Sequence, residues 1–171
     1  MVRYSDTPAV EVSTLVAAPP ERLWPLVTDI ELIASLSTEL RRVRWLDKGE
    51  RPEVGRRFEG TNLHPAHGEW TSTSQVIECT EPQLFSWAVG AVDDPAATWG
   101  FELTPTEGGT RLRQFARIGP GWSGLNEVIA RMPDMEERIV ESRLGEFRAG
   151  MERNLAVLRE LAETGQLSKP G

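Results

Sequence analysis

The sequence contains very little cysteine, tyrosine and histidine, and it has no long apolar run. Its 171 residues include one Cys, one Tyr and two His. The single cysteine, Cys79, excludes an internal disulfide. No stretch of about 18 apolar residues occurs, which excludes a membrane-spanning helix. The start of the chain, Met1 to Asp6, lacks the apolar core of a secretory signal. We therefore expect a cytoplasmic protein.

Basic residues are also fewer than acidic ones. There are 19 Lys and Arg against 26 Asp and Glu, a formal net charge of -7, which opposes binding to nucleic acid and to anionic membranes. Two arginine groups could form a phosphate-binding stripe: Arg41, Arg42 and Arg44, and Arg111, Arg113 and Arg117. Such groups inside strands usually mark a solvated sheet face. We predict no nucleic-acid partner and no integral membrane contact.

The length and composition are typical of one globular domain. The apolar fraction is 39% and the charged fraction 26%, and a chain of this size can build one core with room for a cavity. No internal repeat or linker is evident. We predict a single domain over 1–171, with an ordered core at about 9–164 and a frayed tail over 166–171.

Period-two alternation predicts a first strand from Val10 to Val16. Helical spacing then predicts a short helix after Pro20, kinked or started late by Pro25, and a second short helix from Glu31 to Leu36. Six strands separated by short turns follow, which predicts an antiparallel meander. These are Leu40 to Leu46, Gly55 to Leu63, Glu69 to Cys79, Leu84 to Ala91, Thr98 to Thr104 and Thr110 to Ile118.

A long amphipathic helix is predicted at the C-terminal end. Apolar residues keep helical spacing from Met135 to Leu161. Asp134 offers an N-cap with Glu137 reaching back, and Gly165 offers the C-cap. A helix of about 30 residues is about 45 Å long. It can cross a whole sheet, against which its apolar stripe must be buried.

This order of elements resembles the START-like superfamily, also called SRPBCC, which includes polyketide cyclase/dehydrase-like and lipid-transfer proteins. The resemblance lies in Ala18-Pro19-Pro20-Glu21-Arg22-Leu23-Trp24, Thr28-Asp29, Val54-Gly55-Arg56-Arg57-Phe58, Phe85-Ser86-Trp87 and Gly108-Gly109-Thr110-Arg111-Leu112. It implies an α+β helix-grip fold. In that fold a seven-stranded curved antiparallel sheet surrounds the long C-terminal helix, two short helices lie between strands 1 and 2, and an elongated cavity has a lining that sets the function.

The inward strand faces, identified from their bulky apolar positions, give a predicted ligand-binding set. It consists of Trp45, Phe58, Asn62, His64, Trp70, Ser72, Ser74, Trp87, Trp99, Phe101, Leu112 and Gln114, with Arg143 from the long helix. The 6 tryptophans favour an aromatic lining for a flat or ring-containing ligand. The alternative is an ordinary packed core.

Asn62 and His64 are the candidate catalytic residues. Both share a predicted face with Phe58, and a buried polar group needs a partner. His64 could act as a general acid or base near neutral pH. Alternatively, the strand ends by residue 64, and His64 is then a solvated turn residue beside Pro65.

Three other features have a functional and a simpler interpretation. His64, His67 and Glu69 could bind a metal, but no fourth ligand is evident, and we expect neither a metal nor a cofactor. Gly121 to Leu125 is an incomplete nucleophile elbow, which does not support serine hydrolysis. The stretch from Gly119 to Gly124 could be a gate that Trp122 plugs, or an ordinary connection.

On the long helix, Arg143, Glu146 and Asn154 could reach the cavity mouth, or they could be solvated flank residues. The predicted function is binding of a small hydrophobic, aromatic or polyketide-like, or lipid-like ligand by a monomer or homodimer. One alternative is a cyclase or dehydratase-like enzyme. The other is a co-chaperone-like interaction module, which would need a large exposed apolar patch.

Overall fold

Seven antiparallel strands form one sheet in the computed structural model, which describes residues 1–166. The strands are β1 (Ala9–Val16), β2 (Leu40–Trp45), β3 (Arg57–His64), β4 (Gly68–Thr80), β5 (Leu84–Ala91), β6 (Asp94–Thr106) and β7 (Gly109–Ile118). Their order is β1-β7-β6-β5-β4-β3-β2. Strands β2 to β7 therefore form the predicted meander, and β1 pairs with β7.

Four helices complete the fold: α1 (Pro20–Val27), α2 (Ile30–Leu36), α3 (Gly124–Arg131) and α4 (Glu136–Thr164). Short 3-10 turns cover Tyr4–Asp6 and Pro133–Met135. The predicted α+β helix-grip fold is confirmed. Gly165 ends α4 with φ 73°, a left-handed conformation that favours glycine. The predicted frayed tail lies outside the described residues from position 167 onward.

Several local predictions are wrong. Helix α1 begins at Pro20 and contains Pro25, so of the two predicted effects of Pro25, a kink or a late start, the late start is wrong. Asp134 does not cap α4, because it lies in the 3-10 turn and Met135 occupies the N-cap position without a side-chain hydrogen bond. Strand β6 begins at Asp94, which pairs with Ala91 across a tight turn.

Helix α3 was not predicted from the sequence. Glycines and a proline before it favour a loop, but Ser123 occupies the N-cap position. The Ser123 backbone N–H donates to the side-chain oxygen of Asn126 at 2.8 Å, which satisfies one of the amides that a helix start leaves unpaired.

The dry core lies between the sheet and the C-terminal half of α4. Leu155 and Leu158 pack there against Phe85 and Leu112 of the sheet and Leu23 of α1. Full burial of each such side chain contributes about 1.5–3 kcal/mol. A second cluster joins the N-terminal half of α4 to the 3-10 turn of Tyr4 and the start of α3. Within residues 1–166, no helix has the length and apolar character needed to cross a membrane.

Replacing Leu158, which is 0% exposed, by Ala should reduce the free energy of unfolding by about 2–5 kcal/mol, because α4 then no longer fills the core. The matched control is Leu15→Ala on β1, where the side chain is 62% exposed and the expected change is within about 0.5 kcal/mol. Urea unfolding of both variants measures this. Equal losses would contradict the described packing of α4.

Candidate ligand-binding cavity

A cavity of about 620 Å³ lies between the sheet and α4. It is lined by side chains of the dry core, such as Val27 and Phe85, and by side chains of the second cluster, such as Ile118 and Leu125. Strands β3 to β6 contribute much of the wall because successive residues of a strand face opposite sides of a sheet. Helix α2 and the middle of α4 complete the lining.

Aromatic rings form a continuous part of the wall. Trp87 lies at the centre, with its ring 5.9 Å from Phe58 and 5.5 Å from Phe85. Trp99 of β6 packs against Phe147 of α4, with ring centroids 4.7 Å apart. Edge-to-face and tilted contacts of this kind are favourable arrangements for aromatic pairs. They hold the rings in fixed orientations beside the cavity.

Unpaired polar groups interrupt this apolar wall on β3 and β4. Asn62, Ser72 and Ser74 line the cavity, and within residues 1–166 their side chains have no hydrogen-bond partner. Their polar atoms are not sealed off, since the one fully buried side-chain atom without a partner in the described residues is Ser86 Oγ. They are therefore available to bond a polar atom of a ligand, or water, inside the cavity.

A buried amide pair lies under α4. The Asn154 side chain donates to the Gln114 oxygen at 3.2 Å, and the two residues are 9% and 2% exposed. The bond joins α4 to β7. Both residues line the cavity, so the solvated interpretation is wrong for Asn154.

Arg143 connects α4 to the segment before β2. Its guanidinium donates to both carboxylate oxygens of Glu39, at 2.5 and 2.9 Å, and to Glu146 at 2.7 Å. The Arg143 side chain is 12% exposed, so the solvated interpretation is wrong for this residue as well. Burial lowers the pKa of Arg143, but the two carboxylates outweigh burial and raise it. For Glu146, burial raises the pKa, and the contacts with Arg143 and His64 lower it below its usual value.

His64 is the last residue of β3, and its ring faces Glu146. The Ala66 N–H donates to His64 Nδ1 at 3.0 Å, so Nε2 carries the hydrogen and donates to Glu146 Oε1 at 3.3 Å. The side chain is 15% exposed, so the prediction of a solvated turn residue is wrong. His64 nevertheless lies outside the cavity lining.

His67, in contrast, lines the cavity. Its ring centroid is 4.4 Å from that of His64. Burial is the largest cause that lowers the pKa of His67, and the nearby His64 and Arg143 lower it further. These surroundings therefore favour the neutral form of the His67 imidazole.

The acidic groups beside His64 are already paired. Oxygens of Glu39 and Glu146 and a ring nitrogen of His64 lie within 4.8 Å of one another, a spacing that could hold a metal ion. However, Arg143 already donates to both carboxylates. Within residues 1–166, the alternative donor set that includes His67 and Glu69 does not come together.

Part of the predicted binding set lines the cavity, and part does not. The predicted residues that do line it are Phe58, Asn62, Trp70, Ser72, Ser74, Trp87, Trp99, Gln114 and Arg143. Trp45, His64, Phe101 and Leu112 are outside the lining. Trp45 lies under the guanidinium of Arg56 at 3.9 Å, whereas Phe101 and Leu112 are 0% exposed in the dry core.

Sequence reasoning missed lining residues from helices and turns, such as Ile33, Glu39 and Met151. The inward strand faces could not identify them. The helical spacing of Ile30 and Ile33 in α2 and the position of Met151 in the apolar stripe of α4 are sequence signals that could have indicated part of this group.

The glycine-rich connection before α3 is held at both sides. A Cβ on Gly121 would lie 2.1 Å from the carbonyl oxygen of Asp94, and the Tyr4 hydroxyl donates to the Gly121 carbonyl. Trp122 is 69% exposed and does not line the cavity, so it does not plug an entrance. The Ser123 hydroxyl contacts Asn126 and Tyr4 and begins a helix, which gives no support to a nucleophile elbow.

Comparisons with known proteins agree with this architecture. A family model described as polyketide cyclase / dehydrase and lipid transport matches residues 7–163, and the START-like resemblance is confirmed. The solution structure of the Polyketide_cyc-like protein Cgl2372 from Corynebacterium glutamicum is similar, with 28% identity, TM-score 0.63 and 90% of each chain covered. No curated protein matches the chain.

Two more distant structures show the fold alone. The di-domain ARO/CYC StfQ from the steffimycin biosynthetic pathway has 16% identity and TM-score 0.68, over 91% of this chain and 50% of that chain. Ara h 8.0201 has 14% identity and TM-score 0.54, over 87% and 98% of the two chains.

Arg143→Met should reduce the free energy of unfolding by about 1–3 kcal/mol, because Glu39 and Glu146 lose their shared cation. The matched control is Arg159→Met on the same helix, whose ion pair with Glu163 involves a 53% exposed arginine side chain and should contribute less than about 0.5 kcal/mol. Urea unfolding compares the two. Adding Glu39→Gln to Arg143→Met should recover part of the loss; no recovery would contradict the pairing.

The His67 pKa should lie below 6.5 in the folded protein and rise toward that value in Arg143→Met, because a nearby positive charge is removed. In the unmodified protein, the lowered pKa means that just below pH 6.5 the unfolded chain binds more protons at His67 than the folded chain does. The contribution of neutral His67 to stability is therefore present above pH 6.5 and is lost as the pH falls. Proton NMR of the two histidines measures the titration, with His64→Gln for assignment. An unshifted His67 in both proteins would contradict the described site.

Proposed function

This chain belongs to the polyketide cyclase / dehydrase and lipid transport family, and we propose that it binds a small, largely apolar organic molecule in the cavity under α4. The observation that carries the proposal is the cavity of about 620 Å³ with aromatic walls. Small-molecule sites have volumes of about 300–1,000 Å³ and mostly apolar linings with a few polar groups. Aromatic or polyketide-like and lipid-like molecules are the ligand classes that meet this description.

The ligand's rings or chain would lie against Phe58 and Trp87, where each Å² of apolar surface removed from water contributes about 25 cal/mol. Its hydroxyl or carbonyl groups would face β4. Ser72 and Ser74 are two residues apart on one face of that strand, a spacing of about 6.8 Å. Asn62 lies on the neighbouring strand, where it pairs with Trp70. Such polar groups orient a ligand and distinguish it from a pure hydrocarbon.

A cyclase or dehydratase-like activity is the second candidate, and the place of His67 in the cavity lining, where burial lowers the pKa of its imidazole, is the observation that favours it. A neutral imidazole can accept a proton from a bound substrate. Asn62 would then position a carbonyl oxygen of the substrate. His64, which lies outside the lining, would affect the reaction through its hydrogen bond to Glu146, which is part of the lining. Loss of turnover in His67→Gln with binding retained would support this candidate.

The remaining predictions concern the setting of this function. We infer a cytoplasmic protein with one domain, acting as a monomer or homodimer without nucleic acid. The interaction module is the weaker alternative, because side chains such as Phe58 and Trp87 border open space inside the protein. Analytical ultracentrifugation measures the oligomeric state.

The purified protein should carry or accept one apolar ligand per chain. Native mass spectrometry should show an added mass, and organic extraction should release a ring-containing or lipid-like molecule. A protein that is empty and also ignores hydrophobic fluorescent probes would contradict the binding function.

Ser72→Phe should weaken ligand binding at least about tenfold, because the added ring occupies the cavity. The matched control is Thr73→Phe, which adds the same ring to the exposed face of β4 and should leave binding unchanged. Asn62→Leu should abolish binding of ligands held through a hydroxyl or carbonyl group. Fluorescence titration measures all three variants, and unchanged affinity in Asn62→Leu would remove Asn62 from the site.

A further inference from the structure

The cavity lining carries more negative than positive side chains. Within residues 1–166, the charged side chains of the lining are four glutamates and two arginines: Glu39, Glu69, Glu127, Glu146, Arg143 and Arg153. Their formal charges give the lining a net charge of -2. The whole chain adds to this field, with a formal net charge of -7.

The more deeply placed arginine is already neutralised. Arg143 donates three hydrogen bonds to Glu39 and Glu146, so an incoming carboxylate could reach it only by displacing one of these partners. The displaced carboxylate would then remain in the cavity without a cation, which is costly.

The rim is acidic as well. Glu69 and Glu127 are exposed there, against the single exposed Arg153. Burial lowers the pKa of His67, which disfavours a positive charge on this lining residue. An anion that enters therefore loses hydration, and the one lining cation without an ion pair in the described residues is the exposed Arg153, which Glu69 and Glu127 outnumber.

We propose that this cavity selects its ligand by charge, accepting neutral or cationic molecules and excluding organic anions of the same shape. The inference rests on the proposed binding function and narrows it. Among lipid-like ligands it favours those with an uncharged or basic polar end over fatty acids. The physical cause is repulsion by the lining, which is stronger between low-dielectric walls than in water.

Two fluorescent probes with the same ring system test the inference. N-phenylnaphthylamine is neutral, and anilinonaphthalenesulfonate carries one negative charge on the same body. At low salt, the neutral probe should bind at least about tenfold more tightly, and the difference should shrink at high salt because ions screen the rim charges. Loss of both signals in Ser72→Phe would locate the probes in the cavity.

A variant with fewer negative charges distinguishes two reasons for weak binding of the anionic probe: charge repulsion by the lining, and the added size of the sulfonate group. In Glu69→Gln/Glu127→Gln, the difference between the probes should fall about threefold or more. The control, Glu21→Gln/Glu107→Gln, changes the net charge equally at two exposed residues that do not line the cavity, and it should keep the full difference.

The outcomes distinguish the two proposals. If both probes bind with equal affinity, or the control variant narrows the difference as much as the rim variant, charge selection by the lining is wrong and the binding function stands. If neither probe binds, the binding function is wrong, and charge selection is overturned with it.

Discussion

The ion pair between Arg143 and Glu39 is the contact on which the arrangement of the cavity depends. It joins α4 to the segment before β2, two parts of the chain that lie 104 positions apart. Toward its C-terminal end, α4 packs directly on the sheet through Leu155 and Leu158. Farther toward the N-terminus, the guanidinium provides a polar tie beside the cavity. If apolar side chains replaced this ion pair, they would pack closely against the sheet, as protein interiors do, and would fill the space beneath the helix.

This division of α4 explains how one amphipathic helix supports both stability and a cavity. The dry core contains large side chains with no access to water, such as Phe101 and Leu112. The cavity wall instead combines fixed aromatic rings with short polar side chains, such as Ser72 and Ser74. Short side chains on β4 leave the space that a ligand needs. This part of the sheet is therefore less closely packed than the dry core, but its lining can form hydrogen bonds with a ligand.

The fold was predictable from the sequence because its signals are local. Period-two strands, short turns and the helical spacing of α4 depend on residues close together in the chain. Capping was less predictable, since Ser123 begins a helix after a glycine-rich stretch that favours a loop. Most strand residues of the predicted binding set line the cavity, because strand alternation fixes which face a side chain takes.

The remaining parts of the site depend on tertiary contacts that periodicity does not carry. Arg143 has the local pattern of a solvated helix flank, and the distant Glu39 supplies the partner that this local pattern does not show. His64 has the alternation of an inward residue, yet its two ring nitrogens bond the Ala66 amide and Glu146, and the residue itself is not part of the lining. His67 has the sequence context of a turn, but the turn folds back against Trp70, whose ring centroid lies 6.4 Å away.

The distribution of tryptophan also gives the protein an internal optical reporter. Trp70, Trp87 and Trp99 line the cavity, so a ring system bound there lies within the range of energy transfer from three indoles. Trp122, at 69% exposure, emits from a watery environment and contributes a background that does not respond to the cavity. Trp122→Phe leaves five of the 6 tryptophans and shifts the emission toward the indoles that border the ligand. The occupancy of the cavity can thus be followed by intrinsic tryptophan fluorescence, without a label on the protein.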